Sequence, residues 1–286
     1  MTLSPHIGRP DTKGFPPSLR WHCHSTFHHM PPEGTGGGIA IVIDVLRAST
    51  TIVTALTHGA LGVRPALSIE EARVAAATPR PGPPGTLLGG ERGGIKIEGF
   101  DLGNSPLDYT PDRVTGRWIV ITTTNGTAAI DACRNSSVIF VGALVNRLAV
   151  VRLARATAIS RDIRDIHLVC AGTDGEVTEE DLLAAGAMLW AASMEAPSSD
   201  HDILDTASHT AIARYCALIK EGPDGSYAAI KQALLKALQA SIGGRNLVAL
   251  GMDRDLPAAA AIDSLAVVPI LDHETGWLIA AGGGGA

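Results

Sequence analysis

Three times along the chain an apolar, strand-like run breaks into a loop of Ser, Thr, Asn, Gly and acidic residues, then resumes with helical spacing. The three are Ile39 to Val53 (IAIVIDVLRASTTIV), Trp118 to Ile130 (WIVITTTNGTAAI) and Ile166 to Leu183 (IHLVCAGTDGEVTEEDLL). Continuous Val/Ile/Leu runs suit strands that are covered on both faces. The repeated order of strand, loop and helix predicts an α/β fold, a three-layer α/β/α sandwich around a mostly parallel sheet. Likeness among the units points to a partial internal duplication. In such sheets ligands bind where strands end and helix N-termini converge, because unpaired N–H groups and helix dipoles favour anions. Loops this polar predict a site for a small anionic molecule.

Strands are predicted at Ile39 to Val45, Gly62 to Leu67, Arg117 to Thr122, Val138 to Gly142, Ile166 to Ala171 and Leu265 to Ile270. Helices are predicted at Ser49 to His58, Ser68 to Thr78, Gly126 to Cys133, Asn146 to Ile159, Thr178 to Ser193, Ser226 to Gln239 and Pro257 to Asp263. The Gly-rich stretch Leu87 to Pro111 (LLGGERGGIKIEGFDLGNSPLDYTP) reads as irregular, and long loops of this kind in compact domains serve as lids or binding loops. Residues 1–38 differ in texture, with a cluster of histidines, six prolines and a closing Gly34-Thr35-Gly36-Gly37-Gly38. They predict a flexible His/Pro/Gly-rich arm with one edge strand around Leu19 to Phe27, ahead of an α/β domain over residues 39–286. The run WHCHSTFHH could ligate a borderline metal. Its alternation equally places His22 and His24 on one solvated face of that strand, and this is the reading adopted.

The chain has 286 residues, 45% of them hydrophobic, enough to bury a large core. A formal net charge of −6 without any Lys/Arg run argues against nucleic acid as a partner. Cys23, Cys133, Cys170 and Cys216 are widely spaced with no CxxC, so neither a disulfide framework nor a structural zinc is indicated, and a reducing cytoplasm fits. No apolar stretch reaches the ~18 residues of a membrane span, and no signal pattern opens the sequence. The segment LLAAGAMLWAA would suit a homodimer interface as well as a core. An acidic protein that binds an anion needs local cations, because its overall field opposes binding. Arg47, Arg92 and Lys96 are the candidates.

In the first unit, Asp44 stands where the strand runs out, with Arg47, Ser49, Thr50 and Thr51 following. A carboxylate there can hold Mg²⁺ or attack phosphorus, and Arg can clamp phosphate oxygens; alternatively the two pair with each other and Ser49 caps the helix. The second loop, Thr122-Thr123-Thr124-Asn125-Gly126-Thr127, is dense in side-chain oxygens and reads as an oxyanion cradle or an ordinary cap. In the third, Glu179-Glu180-Asp181 open a helix, where acidic residues are accounted for by the dipole alone. Glu91, Arg92, Lys96, Asp101, Asn104 and Ser105 of the Gly-rich stretch add both signs of charge. There is no GxGxxG, Walker A, GxSxG or Cys-x₅-Arg sequence, so the dinucleotide, P-loop, hydrolase-elbow and Cys-phosphatase readings lose their support.

VIDVLRASTTIVTAL, LLGGERGGIKIEGFDLGNSP, TTTNGTAAI, CAGTDGEVTEEDLLAAG and GRNLVALGMDRDLPAAAAIDSLAVVP resemble successive motifs of the 2-phosphosulfolactate phosphatase family (ComB type), in order over most of residues 39–270. The resemblance implies a Mg²⁺-dependent hydrolase that converts 2-phospho-3-sulfolactate to 3-sulfolactate and inorganic phosphate, on the route to coenzyme M. On this reading Asp44, Arg47, Glu91 and Asn125 are catalytic, and Asp44, Glu91 and Asp101 hold the metal. Ser49, Thr50, Arg92, Lys96, Asn104, Ser105, Thr124, Gly126 and Thr127 bind substrate. The alternatives are a phosphatase for another small phosphorylated hydroxy acid and a non-catalytic binder of sulfolactate-like anions. Gly243-Gly244-Arg245 departs from relatives that carry a His before Gly-Arg, so no imidazole acid or base is available there.

Overall fold

The computed structural model describes residues 18–31, 33–80, 85–195, 202–220 and 226–282. The first part of the predicted arm, residues 1–17, lies outside them. Eleven strands form one sheet among these residues: β1 (Arg20–His24), β2 (Ile39–Ile43), β3 (Gly62–Pro65), β4 (Leu87–Arg92), β5 (Ile95–Lys96), β6 (Trp118–Thr122), β7 (Val138–Gly142), β8 (Asp165–Cys170), β9 (Ile203–Leu204), β10 (Pro269–Asp272) and β11 (Trp277–Ala280). Their order is β5-β4-β6-β3-β11-β10-β7-β2-β8-β1-β9. Two parallel blocks, β4-β6-β3 and β7-β2-β8-β1-β9, are joined through the antiparallel hairpin β10/β11.

Helices α1 (Ala48–Thr57), α2 (Ile69–Ala77), α3 (Pro111–Val114), α4 (Gly126–Ala132) and α5 (Arg147–Ser160) are followed by α6 (Glu179–Glu195) and α7 (Thr206–Lys220). Then come α8 (Tyr227–Ala240), α9 (Ile242–Ala249) and α10 (Asp255–Ala259). The result is the predicted α/β fold, a mixed, mostly parallel sheet with helices on both faces. Alternation along β2 shows why both faces must be covered. Ile39, Ile41 and Ile43 join Val150 and Ala154 of α5 and Met188 of α6 in one core layer. Ala40 and Val42 join Ile52 and Leu56 of α1, Ile130 of α4, and Ile119 and Ile121 of β6 in the other. The second layer therefore contacts both parallel blocks. The hairpin reverses the chain direction between the blocks, and sheet twist of about 20–25° per step accumulates over the five steps from β6 to β2.

Four expectations need correction. The stretch 87–111 is not irregular throughout: Leu87 to Gly90 pair in parallel with Ile119 to Thr122, and β4 then turns through Gly93 and Gly94, both at positive φ, into β5. Its glycines hid the strand. The late strand starts at Pro269, because the backbone N–H groups of Asp263 and Leu265 are drawn instead to the carbonyls of Leu144 and Val145. Sequence reading also missed β11, α7 and α9. Finally, β1 is not an edge strand. It lies between β8 and β9, with Trp21 and Cys23 buried in the core and the half-buried His22 and His24 stacked against His167.

Candidate active site

Asp44 follows the last residue of β2 and folds back to cap its own helix. Its Oδ1 accepts a hydrogen bond from the Ala48 N–H at 3.1 Å, and its backbone carbonyl accepts from Ser49 N–H at 2.8 Å. The first amides of α1 are thus taken by Asp44 itself. The second loop closes on the same carboxylate: a Cβ added at Gly126 would stand 2.5 Å from Asp44 Oδ2, so only glycine permits this approach. Burial pushes the Asp44 carboxyl up to about 7, with the charges of Glu91 and Glu180 adding, against the Ala48 hydrogen bond and the Arg47 charge.

Glu91, near the end of β4, ties the loop after β6 to the β4/β5 turn, within one block. Its Oε1 accepts from the Thr124 N–H at 2.9 Å and the Thr124 hydroxyl at 3.1 Å, while Oε2 accepts from Gly94 N–H at 2.7 Å. Arg47 is buried and donates to Asp255 Oδ2 and to the Gly94 carbonyl, each at 2.8 Å, and to Met252 Sδ at 2.9 Å. Asp44, Arg47, Glu91, Asn104, Thr124 and Asn125 line one pocket of about 480 Å³, whose far wall is the α9 segment around Gly243, Asn246 and Leu250. Asn104 is 5% exposed and its Oδ1 has no hydrogen-bond partner. Asn125 Oδ1 accepts from the Asp174 N–H at 3.3 Å, joining the second loop to the third.

The third loop holds what sequence reading undervalued. Glu180 and Asp181 are not a solvated first turn: they are 2% and 3% exposed. Asp181 bridges two strand ends, accepting from Val45 N–H at 2.8 Å and Gly172 N–H at 3.0 Å. Glu180 Oε1 accepts from Gly243 N–H at 3.1 Å, and Oε2 is buried without a partner. Burial raises both carboxyls, with Asp44 and Glu180 adding to the shift at Asp181. The available signal was the all-round apolar LLAAGAMLWAA that follows, which leaves this helix no wet face for acids. At Gly243 a Cβ would meet Glu180 Oε1 at 2.1 Å, which accounts for glycine in the position where a His was the alternative.

Several predicted site residues lie elsewhere. Asp101 is exposed and accepts from Leu88 N–H at 2.8 Å, three residues before Glu91 along β4, so it does not join the carboxylate cluster. Lys96 is exposed on β5 and does not line the pocket. Arg92 donates to the Glu91 carbonyl at 2.7 Å and to Thr122 Oγ1 at 3.0 Å, bracing the strand end. Ser49 accepts from Asp44 N–H and Thr50 donates to the Val45 carbonyl; both are buried within the loop. Thr127 is occupied by Thr123, leaving Thr124 and Asn125 as the pocket-facing part of the cradle. Ser105 donates to Asp255 Oδ1 at 2.5 Å rather than lining the pocket.

The donor set suits a hard cation. Asp44, Glu91, Glu180 and Asp181 offer only oxygen; the charges of Glu91 and Glu180 add to the raised proton affinity of Asp44, those of Asp44 and Glu180 to that of Asp181, and Glu180 Oε2 is buried without a partner. Among the described residues no three His, Cys, Asp or Glu side chains are already gathered at ligating spacing.

Among the described residues no helix is long and apolar enough to cross a membrane. A sequence profile of the family described as 2-phosphosulpholactate phosphatase matches residues 25–274. A protein of Symbiobacterium thermophilum named probable 2-phosphosulfolactate phosphatase is 40% identical over 243 residues, 84% of this chain and 94% of its own length. One of Synechococcus sp. strain RCC307 with the same name is 39% identical over 253 residues, 87% of this chain and 96% of its own. A third, from Thermotoga petrophila, reaches 47% over 150 residues, 52% and 60% of the two chains. The motifs that gather at the strand ends, the α/β fold that gathers them and these matches together make the chain a member of the 2-phosphosulfolactate phosphatase family.

Proposed function

We propose that this chain hydrolyses the phosphate monoester of 2-phospho-3-sulfolactate, releasing 3-sulfolactate and inorganic phosphate, and that it does so with Mg²⁺. The observation that carries the metal is a charge mismatch. Asp44, Glu91 and Asp174 line the pocket against, among the described residues, a single cationic side chain, Arg47, which is itself paired with Asp255. A substrate with phosphate, sulfonate and carboxylate groups would be repelled by such a lining. Asp44 and Glu91 would hold the ion, with Glu180 behind them; when bound, Mg²⁺ offsets charge on the phosphoryl oxygens.

The chain's own groups supply the rest. Arg47, fixed on two sides, presents its guanidinium to the anion without having to find its geometry on binding. Asn104, Thr124 and Asn125 offer hydrogen bonds to the remaining oxygens, and Asn104 Oδ1 gains a partner it otherwise lacks. Asp44, at the strand end beside the phosphoryl site, could alternatively attack phosphorus. The test is phosphate release from 2-phosphosulfolactate. Turnover is expected to vanish in EDTA and return with Mg²⁺, and to fall sharply on other phosphorylated hydroxy acids. Undiminished turnover in EDTA would remove the metal, and ligand stabilisation without phosphate release would make the protein a binder.

A further inference from the structure

Arg47 is held by a residue of the C-terminal motif to which the sequence reading gave no role. Asp255 is the first residue of the short helix α10, more than 200 positions away in the chain, and its side chain is 3% exposed, as is that of Arg47. Its Oδ2 accepts from Arg47 Nη1 at 2.8 Å and its Oδ1 from Ser105 Oγ at 2.5 Å. It does not line the pocket, whereas Arg47 does, as the only Lys or Arg side chain to do so among the described residues. Every anion that enters therefore meets a guanidinium already neutralised from behind.

We infer that Asp255 is a positioning residue that fixes Arg47 toward the pocket and restrains its grip on anions. The inference rests on the reading of Arg47 as the anion-binding cation. The physical reason is that a buried ion pair shares its charge: removing one partner leaves the other uncompensated, and an entering anion then supplies what is missing. A substrate and its phosphate product would both be held harder, and product would leave more slowly. Ser105 supports the arrangement by occupying the second carboxylate oxygen, so the carboxylate cannot swing away from Arg47. The pair also ties the α10 region to the Gly93–Gly94 turn, because Arg47 Nη2 donates to Gly94 O at 2.8 Å.

The experiment is titration calorimetry of inorganic phosphate into the full chain in Mg²⁺ buffer, with steady-state kinetics on 2-phosphosulfolactate. Asp255→Asn keeps the shape and removes the charge. It is expected to tighten phosphate binding about tenfold, to lower KM, and to lower kcat. Asp255→Glu keeps the charge but displaces it by one methylene; it should leave phosphate affinity within about twofold while still lowering kcat. This second variant decides the matter if the first does not fold: unchanged kcat in Asp255→Glu would overturn the positioning role. Phosphate affinity that is unchanged or weaker in a folded Asp255→Asn would overturn the restraint. Arg47→Ala separates the two layers of the argument. If it leaves phosphate affinity unchanged, or the wild type binds no phosphate at millimolar concentration, the anion-binding role of Arg47 falls, and the inference with it. If Arg47→Ala weakens binding and Asp255→Asn does not tighten it, only the inference falls.

Discussion

A carboxylate buried among carboxylates is costly to the fold, and Asp44 sits beside Glu91 and Glu180 with its pKa pushed up to about 7. If that arrangement exists for chemistry, Asp44→Asn should lower kcat by at least ~10²-fold. Its melting temperature should be unchanged or higher, because the amide removes like-charge repulsion while keeping the oxygen that caps Ala48. Near-normal kcat would return Asp44 to a cap. Asp44, Arg47, Glu91, Asn104, Thr124 and Asn125, which line the pocket, were legible as candidates because each stands next to a strand end or a glycine in a polar loop. Glu180 and Asp181 were not, since acids in a first helical turn have a sufficient local reason to be there. Their burial depends on α6 being packed against α5 and α7, which no local pattern states. Arg92 and Lys96 erred in the other direction: charge in a Gly-rich stretch suggested a lid, but a strand fixed both away from the pocket.

At the level of elements, the site exists because loops from strands distant in sequence are clipped together by side chains. Asp181 clips the ends of β2 and β8 through the N–H groups of Val45 and Gly172. In Asp181→Asn one of these donors would face an NH₂ group and lose its acceptor. An unsatisfied buried donor costs about 1–3 kcal/mol, so urea unfolding should show a loss in that range. Relief of the like-charge burial near Asp44 and Glu180 works against it. A variant as stable as the wild type would mean that relief wins, and that Asp181 is retained for its charge. Strands such as β2, β7 and β8 were readable because helices cover both faces and the apolar run is unbroken. Strands β11 and β4 were not, because Gly89, Gly90 and the turn at Gly276 look locally like loop. What joins the two parallel blocks is long-range antiparallel pairing through the β10/β11 hairpin.

For the molecule as a whole, pH should act through two clusters of opposite sign, the imidazoles between β1 and β8 and the buried carboxyls of Asp44, Glu180 and Asp181. His167 on β8 is wedged between His22 and His24 of β1, with ring centroids 4.7 and 5.3 Å apart, and His24 Nε2 lies 3.1 Å from His167 Nδ1. Burial, then the neighbouring imidazoles, lowers its pKa to about 4, against the opposing pull of Asp165 and Asp205; His24 is lowered as well. Between about 4 and the unfolded value near 6.5, the unfolded chain binds the proton that the folded chain refuses. Stability from this cluster therefore falls as pH drops through 6.5 toward 4. Asp44 has the reverse sign: its raised pKa makes the folded chain the better proton binder between about 3.8 and 7, so acidification favours folding there. Asp165, held down to about 2 by Arg20 and His22, contributes stability that is lost only below 3.8 and is silent in this window. The two terms overlap in the wild type, so its own pH curve cannot separate them. The difference between wild type and His167→Gln can, because glutamine keeps a polar side chain there and removes the titration. Urea unfolding free energies measured from pH 7.5 to 4.5 should show the wild type losing ground to His167→Gln steadily below about pH 6.5. Parallel curves across that range would mean that the imidazole cluster opens to water before it titrates, and the pH response would belong to the carboxylates alone.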